Sequence, residues 1–446
     1  MFCNIYQMSK SKEEESISVS NSKKLTKLLQ IYLADDDVGI NKEVEVKFGT
    51  KGFRQITRID FENVIQKLKS LQFYSLPNSD ILRIQNEFLD ERTGRTMISN
   101  IRTEIVGVTQ IQSYCKKNRI LTDDQSSLPY NINFVQKQKK KHGTNPVHPI
   151  NFDDFNFRVS YNTEKTISHH SGIIKSIISK WSDSRKIFRL LSRSTFIHDD
   201  FPFKIDCSIV KSSRKEHHKL VPAFTISESE LFQNPETFEI EIEIDNNAIA
   251  EKDMSVKQVE ISLRNVIKII LSGLQQTNFP VAYSEQDDVM NKYMELIHGK
   301  QSDYGRIYPK HFIGPSSYTL QMENIIKNSV DNGAVSIRQP YTVTDKADGE
   351  RKMLFIANTG KIYLIDTNMN VQFTGTITKE KKLFLTLMDG ELIQQNKHGK
   401  FINLYAAFDI YFMAGKDVRN KQFVKYEKEG TVSDDKKEQD KKDTKV

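Results

Sequence analysis

Two kinds of pattern in this chain could carry chemistry. The first is Lys346-Ala347-Asp348-Gly349 within TVTDKADGERKMLFI, a lysine and a turn set between apolar runs. A lysine amine attacks phosphorus once it has lost its proton, which neighbouring positive charge or a bound metal promotes. Asp-Gly is equally a routine hairpin turn. The downstream context favours the chemical reading, because KIYLID (361–366), LMDGELI (387–393) and AFDIYF (407–412) follow in order.

The second pattern is acidic and alternating. In NKEVEVKFG, Glu43, Glu45 and Lys47 fall on one face of a strand, opposite Val44, Val46 and Phe48; FEIEIEID gathers Glu239, Glu241 and Glu243 in the same way. An edge strand with its acidic face in water explains either segment alone. Like charges stacked on one face cost energy, however, and the cost recurs in both strands. A divalent cation such as Mg²⁺ or Mn²⁺ offsets it, since carboxylate oxygens suit hard ions. Between the two strands lie Arg158 in FRVSY, Arg189 and Arg193 in FRLLSRSTF, and Asp206 with Ser208 in KIDCSIVK. A closed barrel with a polar interior would set such groups around a phosphate chain.

The elements that must position these residues are mostly strands. From near Leu25 to about residue 250 the apolar pattern is mostly period two, interrupted by helical patterns at Phe61–Leu71 and Gly172–Trp181. Segments 121–129 and 136–149 are polar or Lys-rich; QKQKKKHGTNP reads as a surface loop, with contact to RNA phosphates as the alternative. Residues 255–275 have helical spacing, closing the first domain and opening a connector through FIGPSSYTL; strands return over 341–412. The predicted organisation is a disordered leader (1–24), a strand-dominated antiparallel domain (25–254), a helical connector (255–320), a second α+β domain (321–426) and a disordered charged tail (427–446).

Composition narrows the partners. The 65 basic and 58 acidic residues leave a mild excess of +7, compatible with a polyanion or with an ordinary solvated surface. Cys3, Cys115 and Cys207 are too few and too scattered for a disulfide framework or a structural zinc site. No signal peptide and no membrane-spanning run is legible. Trp181 reads as a packing residue rather than a binding platform.

The paired Glu-x-Glu strands, with RVSYNTE and DCS between them, resemble the triphosphate-tunnel metalloenzymes, and most of all the RNA triphosphatase domain of capping enzymes from fungi and large DNA viruses. The resemblance implies an α+β protein whose antiparallel eight-stranded β tunnel holds metal on Glu43, Glu45, Glu239, Glu241 and Glu243. It further implies phosphate binding by Arg158 and Arg193, lining by Asp206 and Ser208, and a looser acidic match at Glu164. Leu191 stands where the family often has a second basic residue, which leaves that strand's register open.

KADGER and its three downstream segments are similar to the covalent nucleotidyltransferases, the superfamily of capping guanylyltransferases and polynucleotide ligases. That similarity implies a partial ATP-grasp/ligase-like α+β domain with Lys346 as the nucleophile. Arg351 and Glu391 would contact sugar or phosphate, Tyr363 would stack on the base, and Asp348 and Gly349 would shape the lysine loop; Asp389 and Asp409 are further polar or metal contacts. The later motifs of that family are not legible before Val446, so the resemblance implies an incomplete guanylyltransferase. Its oligonucleotide-binding barrel and a methyltransferase would then belong to a missing region or a separate subunit. Substrates implied are 5′-triphosphate RNA and GTP, at a cytoplasmic replication site or in the virion. The alternatives are an ATP-dependent ligase relative, or a triphosphatase carrying a non-catalytic second half.

Overall fold

Alternation of apolar and charged side chains shapes the first half of the molecule. The computed structural model describes residues 12–35, 41–52, 54–120, 132–217, 219–300, 304–326, 336–338, 343 and 346–422. Nine strands concern us here: β1 (Asn41–Phe48), β2 (Ser79–Asp90), β3 (Arg95–Ile98), β4 (Ile101–Val106), β5 (Ile132–Lys139), β6 (Phe157–Thr166), β7 (Lys186–His198), β8 (Phe201–Ser212) and β9 (Thr237–Ile244). All but β3 join in the order β1-β6-β5-β4-β2-β7-β8-β9, each antiparallel to the next. Pairing of β9 with β1, through Glu45↔Glu243 and Lys47↔Glu241, closes the ring. The eight-stranded antiparallel tunnel expected from the sequence is therefore present. Closure leaves none of the eight as a free edge over its paired length.

The two parities of each strand take opposite walls. Val44, Val46 and Phe48 point outward with Val159, Tyr161, Ile205, Cys207, Ile240 and Ile242, forming one core with Ile249 and three longer helices. These are α1 (Lys12–Leu33), α2 (Arg58–Ser70) and α6 (Val256–Leu274). Reciprocal capping boxes, Thr57 with Asp60 and Ser255 with Gln258, start α2 and α6. Along α6, Val259, Leu263, Val266, Ile267 and Ile270 repeat at helical spacing and are buried. At Gly273 the helix lies so close to α2 that a Cβ would sit 2.8 Å from Val64 Cα. A second outer cluster covers β2, β4 and β7 with Ile111 and Tyr114 of α3 (Val108–Lys117) and with Trp181, which is a core residue as its sequence setting implies. The short helices α4 (Gly172–Ser179) and α5 (Asn246–Glu251) complete the set.

Three boundaries differ from the sequence reading. The segment read as a disordered leader is helical from Lys12, because Leu25, Leu28, Leu29 and Tyr32 of α1 bury themselves on the barrel. The start of the loop read over 136–149 is instead the end of β5, paired with β6 from Val135 to Lys139. Helix α6, read as opening a connector, is part of the barrel's core. The chain divides into two compact units, Met1–Glu285 and Gln286–Val446. Residues 1–11 and the tail 427–446 lie outside the described residues.

The second unit holds an open antiparallel sheet. Its strands β10 (Glu350–Ile356), β11 (Lys361–Asp366), β12 (Val371–Ile377), β13 (Thr386–Gln395) and β14 (Phe401–Met413) take the order β12-β11-β10-β13-β14, followed by Lys416–Asp417. One face buries Met353, Phe355, Tyr363, Ile365, Phe373 and Leu387. Helix α7 (Tyr283–His298) buries Tyr293, whose hydroxyl donates to the His311 carbonyl at 2.8 Å. Among the described residues no helix is long and apolar enough to cross a membrane.

Candidate functional site

The outward parity of the barrel strands is apolar, so the charged parity faces the lumen. Lys47 of β1 lies 2.7 Å from Glu241 and 3.2 Å from Glu239, both on β9. Lys137 of β5 reaches Glu43 and Glu45 on β1, each at 2.7 Å, and lies 3.9 Å from Glu164 on β6. Arg189 donates to both oxygens of Glu239 at 2.9 Å. Arg193 pairs with Asp206, donates to Ser208 Oγ at 3.1 Å and lies 3.7 Å from Glu241. Thr195 donates to Asp206 at 2.6 Å. Arg102 bridges Glu104 and Glu164, and Arg83 also meets Glu104. The sequence candidates Glu43, Glu45, Glu239, Glu241, Glu243, Arg193, Asp206 and Ser208 thus share one lumen.

Two expectations about this set change. Arg158 has the lumen parity but is exposed, and its Nε donates to Asn151 at 2.8 Å. Leu191 does not upset the register of β7. It pairs with Val210 and Ile81, and Arg189, four residues before Arg193, supplies the second guanidinium. Sequence reasoning missed Arg83, Arg102, Glu104 and Lys137. The alternation in LRIQ and IRTEIV carried the signal for the first three; Lys137 was hidden inside the Lys-rich segment.

Burial and like-charge contact tune the carboxylates. Glu45 lies directly opposite Glu243, and Glu241 opposite Asp206, in the ladder. Burial, with Glu164 and Glu45 adding to it against Lys137, pushes Glu43 up to about 8. Glu243 is raised by burial and by Asp206 and Glu164. Glu241 goes the other way: burial would raise it, but Lys47 and Arg193 outweigh that and hold it low. Burial works against the ammonium groups of Lys47 and Lys137, yet their carboxylate partners raise both. Among the described residues no three carboxylate, His or Cys side chains converge on one metal position; ammonium groups bridge the glutamates instead.

In the second unit, Lys346 is exposed and its Nζ donates to the Ala347 carbonyl at 3.3 Å. Gly349 is required by crowding, since a Cβ there would meet the Leu392 carbonyl oxygen at 2.6 Å. Arg351 is gripped by Asp389 through two bonds of 3.2 and 2.6 Å and also donates to the Pro315 carbonyl at 2.7 Å. Asp389 is fully buried and accepts from the Tyr411 hydroxyl at 2.6 Å. Glu391 lies opposite Arg351 in the ladder, half-buried. Asp348 and Asp409 are exposed. Tyr363 contradicts its expected role: it is 2% exposed and packs on Phe373 with ring centroids 5.4 Å apart, so it cannot stack on a base. Its parity points into the sheet's apolar face, which the aromatic residue type alone did not reveal.

The geometry thus defines a molecule with a charged-lumen barrel and, in a separate unit, a lysine turn opening an antiparallel sheet. Residues 283–432 match the family model of the mRNA capping enzyme, catalytic domain. The probable mRNA-capping enzyme of Acanthamoeba polyphaga mimivirus is 31% identical over 185 residues, 42% of this chain. The chain spans 13% of the length of that curated relative. Among solved structures, the triphosphatase of the mimivirus capping enzyme is similar at 18% identity, with 56% of this chain and 96% of that one covered and a TM-score of 0.35. The Pct1 RNA triphosphatase of S. pombe is similar at 16% identity, with 55% and 91% covered and a TM-score of 0.31. The resemblance to viral mRNA capping enzymes drawn from the sequence is borne out.

Proposed function

We infer that the barrel removes the γ-phosphate from 5′-triphosphate RNA, leaving a diphosphate end, and that the second unit is the lysine-bearing part of a guanylyltransferase that takes GMP from GTP. The observation that carries the reading is the lumen, where opposed carboxylates on β1 and β9 share a closed ring with arginines on β7. Glu43, Glu45, Glu239, Glu241 and Glu243 offer only oxygen donors and crowd like charges together, a set that suits Mg²⁺ or Mn²⁺. These carboxylates would hold the cation, which would supply charge neutralisation for the phosphoryl group and a position for the attacking water. Arg193 and Lys47, already held at the carboxylates, bind phosphate oxygens, while Asp206 and Ser208 fix the Arg193 guanidinium for that contact. Fixed donors of this kind act without reorganising at the moment of reaction.

In the second unit Lys346 is the group that would form the phosphoramide with GMP, releasing pyrophosphate. Arg351 and Glu391 flank the loop on adjacent strands, and Asp348 and Gly349 shape it. The test is release of γ-labelled phosphate from triphosphate RNA with and without Mg²⁺ or Mn²⁺, for wild type, Glu43→Ala and Glu241→Ala. Metal-dependent release lost in both variants supports the triphosphatase. No release by folded wild type removes it. Labelling of Lys346 by GTP and not ATP separates the guanylyltransferase from a ligase relative.

A further inference from the structure

In the second unit the short segment around Ile313 is tied down on two sides. Tyr293, buried on α7, accepts from the Ile313 N–H at 3.1 Å and donates to the His311 carbonyl at 2.8 Å. Two residues further on, the Pro315 carbonyl accepts from Arg351 Nη1 at 2.7 Å. Helix α7 and strand β10 are thereby joined through one stretch of backbone.

The Arg351 guanidinium is committed to this join. Its Nε and Nη2 donate to the two oxygens of Asp389, which is fully buried on β13. A two-pronged, charge-assisted pair of this kind is strong and directional. Three of the five N–H donors that an arginine carries are then bonded within the protein. The rings of Phe312 and Phe408 have centroids 5.5 and 6.0 Å from the guanidinium carbon, at cation–π range.

Gly314 shows how closely the segment lies on that group. A Cβ there would overlap Arg351 Nη2 and come 2.8 Å from Phe312 Cε1. The φ of Gly314 is outside the left-handed region, so it is this approach, and not the backbone conformation, that calls for glycine.

What the join holds is the root of the lysine turn. Arg351 lies at the start of β10, five residues after Lys346, and faces Glu391 in the ladder with β13. Gly349, between the two, is pressed on the Leu392 carbonyl. Lys346 itself is exposed. Attack on phosphorus needs the amine placed to within about an ångström, so an exposed lysine depends on whatever fixes the base of its turn.

We propose that Arg351 is a positioning residue: its guanidinium clasps the Phe312–Pro315 segment to the root of the lysine turn, and so aims Lys346, without contacting the nucleotide. This departs from the sugar or phosphate contact implied by the sequence. The inference rests on the guanylyltransferase reading, and its test keeps the two apart.

Two variants are compared with wild type. Arg351→Lys keeps a cation beside Asp389 but lacks the planar fork that reaches both Asp389 and Pro315. Gly314→Ala leaves Lys346, Arg351 and Asp389 in place and displaces the guanidinium alone. Labelling of Lys346 is followed as a function of GTP concentration, and hydrogen exchange is followed over residues 311–318. Both variants are expected to exchange faster over that segment. Both should label at least about tenfold more slowly at saturating GTP, with the half-saturating GTP concentration within about twofold of wild type.

A clear rise in the half-saturating concentration, with or without a loss of rate, places the guanidinium on the nucleotide and overturns the proposal. Gly314→Ala labelling at the wild-type rate overturns it as well. Exchange equal to wild type in both variants removes the clasp, whatever the labelling shows. Should wild type be labelled by no nucleotide, the guanylyltransferase reading fails by itself and takes the aiming role with it, while faster exchange still reports the clasp.

Discussion

In the barrel, lysines and arginines of the lumen reach carboxylates on other strands: Lys47 crosses to Glu239 and Glu241, Lys137 to Glu43 and Glu45, Arg189 to Glu239. In the second unit Lys346 is exposed, and its Nζ donates to the carbonyl of the next residue. The lumen is a product of closure, in which residues far apart in sequence are forced into one charged ring. The lysine turn is local, and Arg351, five residues on, is gripped by Asp389 on the neighbouring strand of the same sheet. Under the proposed function, activity in the first unit would rest on many long-range partners, and in the second on a short loop and one buried carboxylate.

The sharpest test of this contrast exchanges activities. Lys346→Ala is expected to abolish covalent nucleotide labelling and leave phosphate release within about twofold; Glu241→Ala is expected to lower release by at least about 100-fold and spare labelling. Parallel gel-labelling and phosphate-release assays check both, and a single substitution that removes both activities would break the comparison.

Stability should divide in the same way. Leu263→Ala hollows the core between α6 and the barrel, and is expected to cost about 2–5 kcal/mol in the first unit's unfolding transition alone. Asp389→Asn removes the buried charge that holds Arg351 and Tyr411. Roughly 3 kcal/mol should be lost from the second unit's transition, less to the extent that Arg351 is partly solvated. Calorimetry resolving two transitions would separate these outcomes, and one shared transition would show that the units unfold together.

The smallest expected effect is a pH dependence in the first unit. Burial lowers Lys186 from the ordinary 10.5 to about 8, while its ammonium donates to the Trp181 and Ser184 carbonyls. A lysine depressed in the folded state binds more protons when unfolded, so its contribution to stability rises with pH between about 8 and 10.5. Lys186→Met should flatten that part of the wild-type profile, measured as the difference between the two denaturation curves across pH 7.5–10.5. An unchanged slope would remove the assignment.

Much of the lumen was legible because period two is a local property. Glu43, Glu45 and Lys47 alternate with Val44, Val46 and Phe48, and that alone puts them on one face. Lys137 was not legible, because QKQKKK has no apolar alternation to separate a strand end from a loop. Tyr363 misled for a related reason: an aromatic residue in a strand fits a base-stacking role and a core role equally well, and only its pairing with Phe355 and Phe373 decides between them. The Ser-rich start of α1 carries no sign of order before Leu25, and its docking depends on an apolar surface built by strands far downstream.

By itself the sequence determined which side chains share a strand face, where the two chemical patterns lie, and that the first half is built of antiparallel strands; these follow from residue type and spacing within a few positions. Only the tertiary structure decided that β9 returns to pair with β1, that Arg189 rather than a residue at 191 completes the lumen, and that Arg351 is held by Asp389. Those outcomes depend on which distant segments come together, and ring closure fixes that through hydrogen-bond register and burial that no local window contains.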